Sequence, residues 1–406
     1  MAFQSLIEST LESGKGILRM NPIFVPRPFG KAGRRLKLHP DDYYALGLAR
    51  GSIKERWFSS TITAQNGPLA ASDEGMSYAA ADYNSDLKFT LKEAVDLLGS
   101  RIIGTELMEK YGGWPMYSKF FDFYNPLFHH VHLMFEHAKN VGKLGKPESY
   151  YFPPQLNNHT GEFGATYFGF APDVKPEQVM ERLRNYNRGD TRITELSRAY
   201  RVELGTGWYT PAGVIHAPAS VLTYEPQLNS DVNSVQENVV SGEIYSRDFL
   251  VAECPEDKKD DIDYIFGLLD WEKNTDPDYR KKYFRPPVTA VSDGAHTEKW
   301  ISYANDYFGA KELTITPGES VVVRDEAAYG AICIQGRGTF GNFICEAPTL
   351  LRFGQQSADE FFICESSARD GVKITNSSPV EQMVLLKHFG PNHPQMPKTV
   401  MAKQVI

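Results

Sequence analysis

The chain has 406 residues, of which 41% are hydrophobic and 23% charged, as is typical of a soluble globular protein that buries a full core. Its net charge of −8 argues against a nucleic-acid partner, because binding to phosphates depends on clustered lysine and arginine. We find no apolar run near the roughly 18 residues of a membrane helix and no signal peptide at the start. With only four cysteines and no metal-type pair spacing, we expect a cytoplasmic protein without disulfides.

The chain begins with a predicted helix and then becomes extended. Residues 3–19 carry apolar side chains at helical spacing, so we expect an amphipathic helix within residues 1–19. The prolines of NPIFVPRPFG then favour extended chain. Residues 90–100, TLKEAVDLLGS, predict a second helix that Thr90 caps and Gly99 ends.

The rest of the chain is predicted to be mostly β. From residue 118 to 235, short segments rich in Tyr, Phe and Val are broken by Gly and Pro and by one helical segment at 175–186. An acidic, helical connector follows at 254–284, and β patterns return after it through about residue 390. Two β-rich blocks on either side of a helical connector predict a mainly β fold with two barrels or sandwiches.

One of the predicted strands carries a histidine pair that is typical of a metal site. The segment FHHVHLMFEHAKNVGKLGKPESYY, residues 128–151, places His130 and His132 one residue apart. Alternate side chains of a strand share a face, so these two histidines can hold one ion. Glu136 has the short spacing and Glu148 the long spacing for a carboxylate ligand, and spacing alone leaves both open.

A second metal signal lies downstream, in GTGWYTPAGVIHAPAS. Pro211 and Gly213 predict a tight turn, after which His216 lies on the returning strand and faces the barrel interior. The spacing from Gly205 to His216 matches the second motif of the cupin superfamily, whose first motif is His-x-His followed by Glu. We therefore expect two cupin (jelly-roll β-barrel) domains.

Each of these motifs is weak when it stands alone. A single His-x-His is more often part of the surface or core, and a single Pro-x-Gly-x-x-His is more often a turn. Their occurrence in the right order, with a glutamate between them, predicts a metal site. His129 alternates to the outer face of the strand, so neither it nor His137 is expected to be a ligand.

Several segments together resemble the type I phosphomannose isomerases, which are metal-dependent cupin enzymes. They are GSRIIGTELMEKYGGWPMYSKFFDFYNPLFHHVH, PIFVPRPFGKAGRRL, ERWFSSTITAQNGPLA and LGKPESYYF, and the likeness runs from about residue 20 to 233. LGKPESYYF is similar to the family's Gly-Lys-Thr-Glu segment, whose glutamate is a metal ligand. The resemblance therefore implies Glu148 rather than Glu136, and the implied ligand set is His130, His132, Glu148 and His216.

Three departures from the family pattern bear on the substrate. His130-Val-His132 stands where the family has Gln-x-His, and Pro218 follows His216-Ala where the family has a residue such as tyrosine. The segment YEPQLNSDVNSVQENVV keeps the family's Glu, Gln, Ser and Asp, but the catalytic arginine falls on Val235. The loss of this arginine indicates a substrate other than mannose 6-phosphate.

The resemblance implies an aldose–ketose isomerase that acts on a sugar or sugar phosphate. Such an enzyme needs a Lewis acid on the sugar oxygens and a base that moves a proton between C1 and C2. Glu225 is the family-matched candidate for the base or proton relay, and Lys119 for a partner of the developing charge. Three imidazoles and one carboxylate suit one divalent ion, whether zinc, iron, manganese or nickel.

Two other functions are compatible with the same residues. Cupin dioxygenases use the same ligand set, so an iron or manganese dioxygenase acting on a small sugar-derived substrate is the second hypothesis. The third is a non-catalytic, sugar-sensing cupin, which the missing arginine allows. A small-molecule sugar is the expected partner in each case, with neither nucleic acid nor membrane.

The expected domain organisation follows from these assignments. Residues 1–19 form the N-terminal helix, 20–253 the catalytic metal-binding cupin, 254–289 the helical connector and 290–406 a second cupin. The last block has histidines but no His-x-His-plus-Glu arrangement, so we expect it to lack a metal site and to serve packing or the formation of a homodimer.

Overall fold

The computed structural model describes residues 2–81, 87–157 and 164–400, whose regular structure is mainly β-strand. The strands before residue 250 are β1 (Ile17–Arg19), β2 (Ile23–Pro26), β3 (Ile53–Phe58), β4 (Tyr78–Ala80), β5 (Lys88–Thr90), β6 (Met116–Phe121), β7 (His130–Val131), β8 (Glu148–Tyr151), β9 (Ala165–Phe170), β10 (Ser197–Arg201), β11 (Gly207–Thr210), β12 (His216–Ala217), β13 (Thr223–Leu228), β14 (Ser234–Val235), β15 (Val239–Val240) and β16 (Glu243–Ile244). Those after it are β17 (Phe284–Arg285), β18 (Val288–Ser292), β19 (His296–Ser302), β20 (Gly309–Ile315), β21 (Ser320–Val323), β22 (Tyr329–Gln335), β23 (Arg337–Phe340), β24 (Phe343–Glu346), β25 (Glu360–Ile363), β26 (Val372–Asn376) and β27 (Met383–Phe389).

The helices are short and lie mostly at the ends of the sheets. They are α1 (Ala2–Ser13), α2 (Leu91–Leu98), α3 (Ser100–Ile103), α4 (Thr105–Tyr111), α5 (Phe135–Lys139), α6 (Pro176–Arg184), α7 (Arg247–Val251), α8 (Ile262–Gly267), α9 (Trp271–Asn274), α10 (Tyr279–Tyr283) and α11 (Glu365–Asp370). The two predicted inner helices correspond to α2, where Thr90 forms a capping box with Glu93, and to α6. Within the described ranges, none of these helices has the length and apolar character needed to cross a membrane.

Four sheets form two sandwiches. The first large sheet has the strand order β17-β11-β8-β13-β6-β3-β2 and packs on the first small sheet, β10-β9-β12-β7-β14. The second large sheet, β1-β25-β22-β27-β20-β19-β18, packs on the second small sheet, β21-β26-β23-β24. Neighbouring strands pair antiparallel, for example β13 with β6 and β20 with β27. The predicted mainly β fold class with two sandwiches is confirmed, although each sandwich is open rather than closed into a barrel.

The two sandwiches contact each other through their large sheets. Phe58, Phe120 and Tyr224 of the first large sheet are buried in one cluster with Ile332 and Leu386 of the second. Successive side chains of a strand point to opposite faces. The residues next to these aromatic residues therefore point into the first sandwich, where they form one wall of the candidate site.

The N-terminal helix is shorter than its apolar pattern predicts. It ends at Ser13, and the tight turn that follows requires glycine. A Cβ on Gly14 would lie 2.1 Å from the carbonyl oxygen of Ile17, and Gly16 adopts φ +77°. The next residues form β1, which pairs with β25 at the edge of the second large sheet. The expectation of helix up to residue 19 was therefore wrong for Ile17–Arg19, which form a strand. The domain boundaries stay a prediction.

A buried cluster of charges lies inside the second sandwich. Lys311 Nζ is 3.0 Å from Glu298 and 2.7 Å from Asp325, and Lys387 Nζ is 2.7 and 2.6 Å from the same two carboxylates. Two ammonium groups thus neutralise two carboxylates, as burial requires.

His388 lies between the two large sheets and is held by hydroxyl groups. Its Nδ1 is 2.9 Å from both Ser118 Oγ and Tyr224 Oη, and its Nε2 is 2.9 Å from Ser59 Oγ. The ring is fully buried, and this burial lowers the pKa of His388 to about 3. A neutral imidazole therefore occupies this interface.

Replacing His388 with glutamine is expected to make the free energy of unfolding less sensitive to acid. The folded-state pKa lies below the unfolded value of about 6.5, so the unfolded chain binds more protons as the pH falls. The stability that the neutral ring contributes is thus fully present above about pH 6.5 and is lost between there and about pH 3. Between pH 7 and pH 5, the free energy of unfolding measured in urea should fall by about 2 kcal/mol less in His388→Gln than in the unmodified protein. Equal losses in the two proteins would contradict a neutral, buried ring.

Candidate metal centre

Three histidines converge inside the first sandwich. His130 lies on β7 and is paired in register with His216 on β12, while His132 follows two residues after His130. The centroids of the His130 and His216 rings are 4.2 Å apart, and the His132 ring is 5.0 Å from each. Within the described part of the chain, these three form the one group of metal-ligating side chains whose ligand atoms all lie within 4.8 Å of one another.

Backbone carbonyls fix the orientation of the three rings. Nδ1 of His130 is 3.1 Å from the carbonyl oxygen of Phe128, Nδ1 of His132 is 2.7 Å from that of Val232, and Nδ1 of His216 is 2.9 Å from that of Val214. A carbonyl only accepts hydrogen bonds, so Nδ1 must carry the proton in each ring. The unprotonated Nε2 atoms then have their lone pairs available to a metal ion.

Glu148 on β8 reaches these histidines from the first large sheet. Its Oε2 is 2.9 Å from His132 Nε2 and its Oε1 is 3.1 Å from His216 Nε2. Burial, outweighing the charge of Glu148, lowers the pKa of His132 to about 4, so His132 is neutral at pH 7. At Glu148 Oε1 and His216 Nε2 an acceptor atom therefore faces another acceptor atom, and both atoms are buried without a hydrogen-bond partner. This donor set fits a divalent cation, which would satisfy them all.

The second predicted glutamate lies elsewhere. Glu136 is exposed on α5, whereas Glu148 is fully buried beside the histidines. The structure thus brings Glu148 to the histidine cluster, as the resemblance implied, while its role as a ligand stays a prediction. His129 binds Glu237 at 2.8 Å, and His137 packs on Tyr264.

The two predicted catalytic residues lie opposite each other on neighbouring strands. Glu225 on β13 pairs in register with Lys119 on β6, and Lys119 Nζ is 3.3 Å from Glu225 Oε1. Both side chains are buried and line the same cavity. Burial, together with the negative charge of Glu148, raises the pKa of Glu225 to about 8 against the opposing effect of the two nearby lysines.

Lys146 is a site residue that the sequence analysis missed. Its Nζ lies 2.8 Å from Glu148 Oε2, 3.0 Å from His132 Nε2 and 3.3 Å from Glu225 Oε1. Although burial alone would lower it, the pKa of Lys146 is raised by Glu148 and Glu225. The alternation of an extended chain gives a signal for it, since Lys146 precedes Glu148 by two residues and so shares its face.

Arg27 is a second residue that the sequence analysis missed. Its guanidinium group forms two hydrogen bonds of 2.9 Å to Glu55 and bonds of 3.0 and 2.8 Å to Asp231. All three side chains are buried and line the cavity. No local pattern predicts this contact, because Arg27 and Asp231 are 204 positions apart.

The cavity beside the histidines has about 450 Å³ of space between its lining atoms, part of which is open to solvent. The charged lining residues are Arg27, Glu55, Lys119, Lys146, Glu225 and Asp231. The apolar lining includes Phe29, Phe121, Phe123, Leu127 and Phe128. Val235, where the family's arginine would fall, is buried in a cluster with Phe128 and Tyr245.

Known structures resemble this chain in fold. The mannose 6-phosphate isomerase of Bacillus subtilis has 18% sequence identity and a TM-score of 0.61, with 92% of this chain and 99% of that one covered. A putative mannosephosphate isomerase of Archaeoglobus fulgidus has 16% identity and a TM-score of 0.58, with 92% and 97% covered. A mannose 6-phosphate isomerase bound with zinc and yttrium has 11% identity and a TM-score of 0.56, with 91% and 99% covered.

These identities are low enough that the likeness establishes the fold alone. No protein-family model matches the sequence, and a search of the curated proteins gives no significant match. Within this fold, the three-histidine cluster is a group that could hold a metal ion.

Proposed function

We propose that the protein is a metal-dependent aldose–ketose isomerase that acts on a sugar in the cavity beside the histidine cluster. The observation that carries this proposal is the position of Glu225. Its carboxylate lies between two ammonium groups, 3.3 Å from each, in the same cavity as the histidines. A base next to a Lewis-acid site is the arrangement that this reaction needs.

The reaction moves one proton from C2 to C1 and another between the two neighbouring oxygens of the sugar. His130, His132, Glu148 and His216 would hold a divalent ion, which would supply a Lewis acid for these oxygens. Glu225 accepts the proton from C2 and returns it to C1, which requires it to be unprotonated when the sugar binds. Because the pKa of Glu225 is about 8, we expect this step to become faster as the pH rises towards 8.

The two lysines stabilise the charge that develops during the transfer. Lys119 approaches Glu225 from β6 and Lys146 approaches it from the segment just before β8, so both ammonium groups lie next to the base. Their ammonium groups are buried, and a fixed charge is most effective where water is excluded. Arg27 forms ion pairs with Glu55 and Asp231 and thereby holds these two lining residues in place.

Zinc-loaded protein under anaerobic conditions is expected to exchange the C2 proton of an aldose with solvent and to form the ketose. Zinc does not change oxidation state, so this chemistry needs neither iron nor oxygen. Proton NMR in D2O across a panel of aldoses and ketoses measures the exchange, with metal-free protein as the control.

Two other outcomes would favour the alternative functions. Turnover that appears only with iron and consumes oxygen would contradict isomerisation and favour a three-His-one-Glu dioxygenase. Binding of a sugar without any turnover across the panel would favour a sugar-sensing protein.

A further inference from the structure

The positive groups of the cavity are already paired with carboxylates. Every N–H donor of Arg27 is used: Nε and one Nη bind Glu55, the same Nη and the other bind Asp231, and Asn66 accepts a bond of 3.1 Å. A phosphate could bind this guanidinium only by displacing a buried carboxylate, which would then be left uncompensated.

The two lysines are likewise paired with carboxylates. Lys119 Nζ lies 3.3 Å from Glu225 and 3.8 Å from Glu55, and Lys146 Nζ lies 2.8 Å from Glu148 and 3.3 Å from Glu225. Arg27, Lys119 and Lys146 thus face four carboxylates. A phosphate group near them would meet negative charge at least as often as positive charge.

The partly exposed rim of the cavity is apolar, neutral or acidic. Phe29, Leu127, Asn233 and Asp231 are partly exposed there, and the Asp231 carboxylate is paired with Arg27. Among the lining residues that the structure describes, the rim carries neither lysine nor arginine. An anionic group on the part of a sugar farthest from the histidines would therefore have no cation to bind.

The apolar lining of the cavity contains aromatic rings that pack on one another. The Phe29 ring stacks with Phe123 at a centroid distance of 5.9 Å and packs edge-on against Phe128 at 5.1 Å. The negative face of an aromatic ring attracts the weakly positive C–H groups that one side of a sugar ring presents. This surface suits an uncharged sugar ring.

We infer that the substrate of this cavity is a neutral monosaccharide rather than its phosphate ester. The inference rests on the proposed isomerase function for the identity of the ligand as a sugar. It goes further by stating that this sugar is uncharged. Three observations support this: the cations of the cavity are paired with carboxylates, its rim has no lysine or arginine among the described lining residues, and part of its lining is aromatic.

The test compares the binding of neutral and phosphorylated sugars by the zinc-loaded protein. Mannose, glucose, fructose and their 6-phosphates are titrated by calorimetry and by saturation-transfer NMR, which report binding whether or not the sugar reacts. We expect at least one neutral sugar to bind about tenfold or more tightly than its 6-phosphate.

Asn233→Arg provides a second, independent arm of the test. A guanidinium group at the rim should raise affinity for the 6-phosphates by about tenfold. Tyr124→Arg is the matched control, because Tyr124 is 63% exposed and outside the cavity, and it should leave affinity for both classes unchanged. Thermal unfolding of both variants verifies that they fold.

The outcomes separate this inference from the proposed function. Tighter binding of a 6-phosphate by the unmodified protein, or binding of neither class, would overturn the inference. Binding of a neutral sugar without exchange at C2 would support the inference and contradict the isomerase. An Asn233→Arg protein that folds and binds 6-phosphates no better would show that the rim does not face the far end of the sugar, which would also overturn it.

Discussion

Replacing Glu148 with glutamine is expected to reduce metal affinity by about 100-fold or more, and sugar turnover with it. Glu148 is fully buried, and its two oxygens face the unprotonated Nε2 atoms of His132 and His216. Glutamine removes the negative charge, and its NH2 group would donate a hydrogen bond to a histidine nitrogen that should bind the ion. Metal content after dialysis, together with chelator competition, measures the effect.

Glu136→Gln is the matched control for this experiment. It makes the same chemical change on the exposed face of α5, in the segment between His132 and Glu148. The Glu136→Gln protein should keep its metal and its activity. Loss of metal from it, with metal retained by Glu148→Gln, would reverse the assignment of the carboxylate ligand.

Replacing Glu225 with glutamine is expected to lower the rate of C2 proton exchange by about 10³-fold while the protein keeps its metal. Glutamine has nearly the same shape and keeps an oxygen near Lys119 and Lys146, but it does not take up a proton from carbon. NMR in D2O measures exchange, and metal content is determined on the same sample.

Glu237→Gln is a suitable control for the Glu225 experiment. Glu237 is also a buried carboxylate, but it binds His129 and does not line the cavity. If Glu225→Gln loses activity and Glu237→Gln does not, the loss results from the position of Glu225 in the cavity. It does not result from the loss of stability that neutralising any buried carboxylate would cause. Exchange at the normal rate in metal-loaded Glu225→Gln would rule out Glu225 as the base.

The parts of the site that lie close together in sequence could be predicted. His130 and His132 share a face because they are two residues apart in extended chain, and His216 follows a turn that contains Pro211 and Gly213. The choice of Glu148 needed the resemblance to a family, since spacing left Glu136 equally open.

The parts that depend on strand register could not be predicted. Lys119 faces Glu225 only because β6 and β13 pair in one register, and a shift by one residue would turn each side chain to the other face of the sheet. Arg27 meets Asp231 through the same kind of long-range pairing. Ile17–Arg19 read as helix because apolar spacing in so short a segment does not distinguish it from a buried strand.

The two large sheets each contain a strand from a distant part of the chain, which limits how the protein can be divided. Ile17–Arg19 form the edge of the second large sheet, next to residues 361–363, and Phe284–Arg285 form the edge of the first. During synthesis, β1 therefore leaves the ribosome first but cannot pair with β25 until residues 361–363 have also emerged. A fragment that starts after Arg285 would lack β1 and leave the backbone N–H and C=O groups of β25 unpaired at an open edge, which is a template for aggregation.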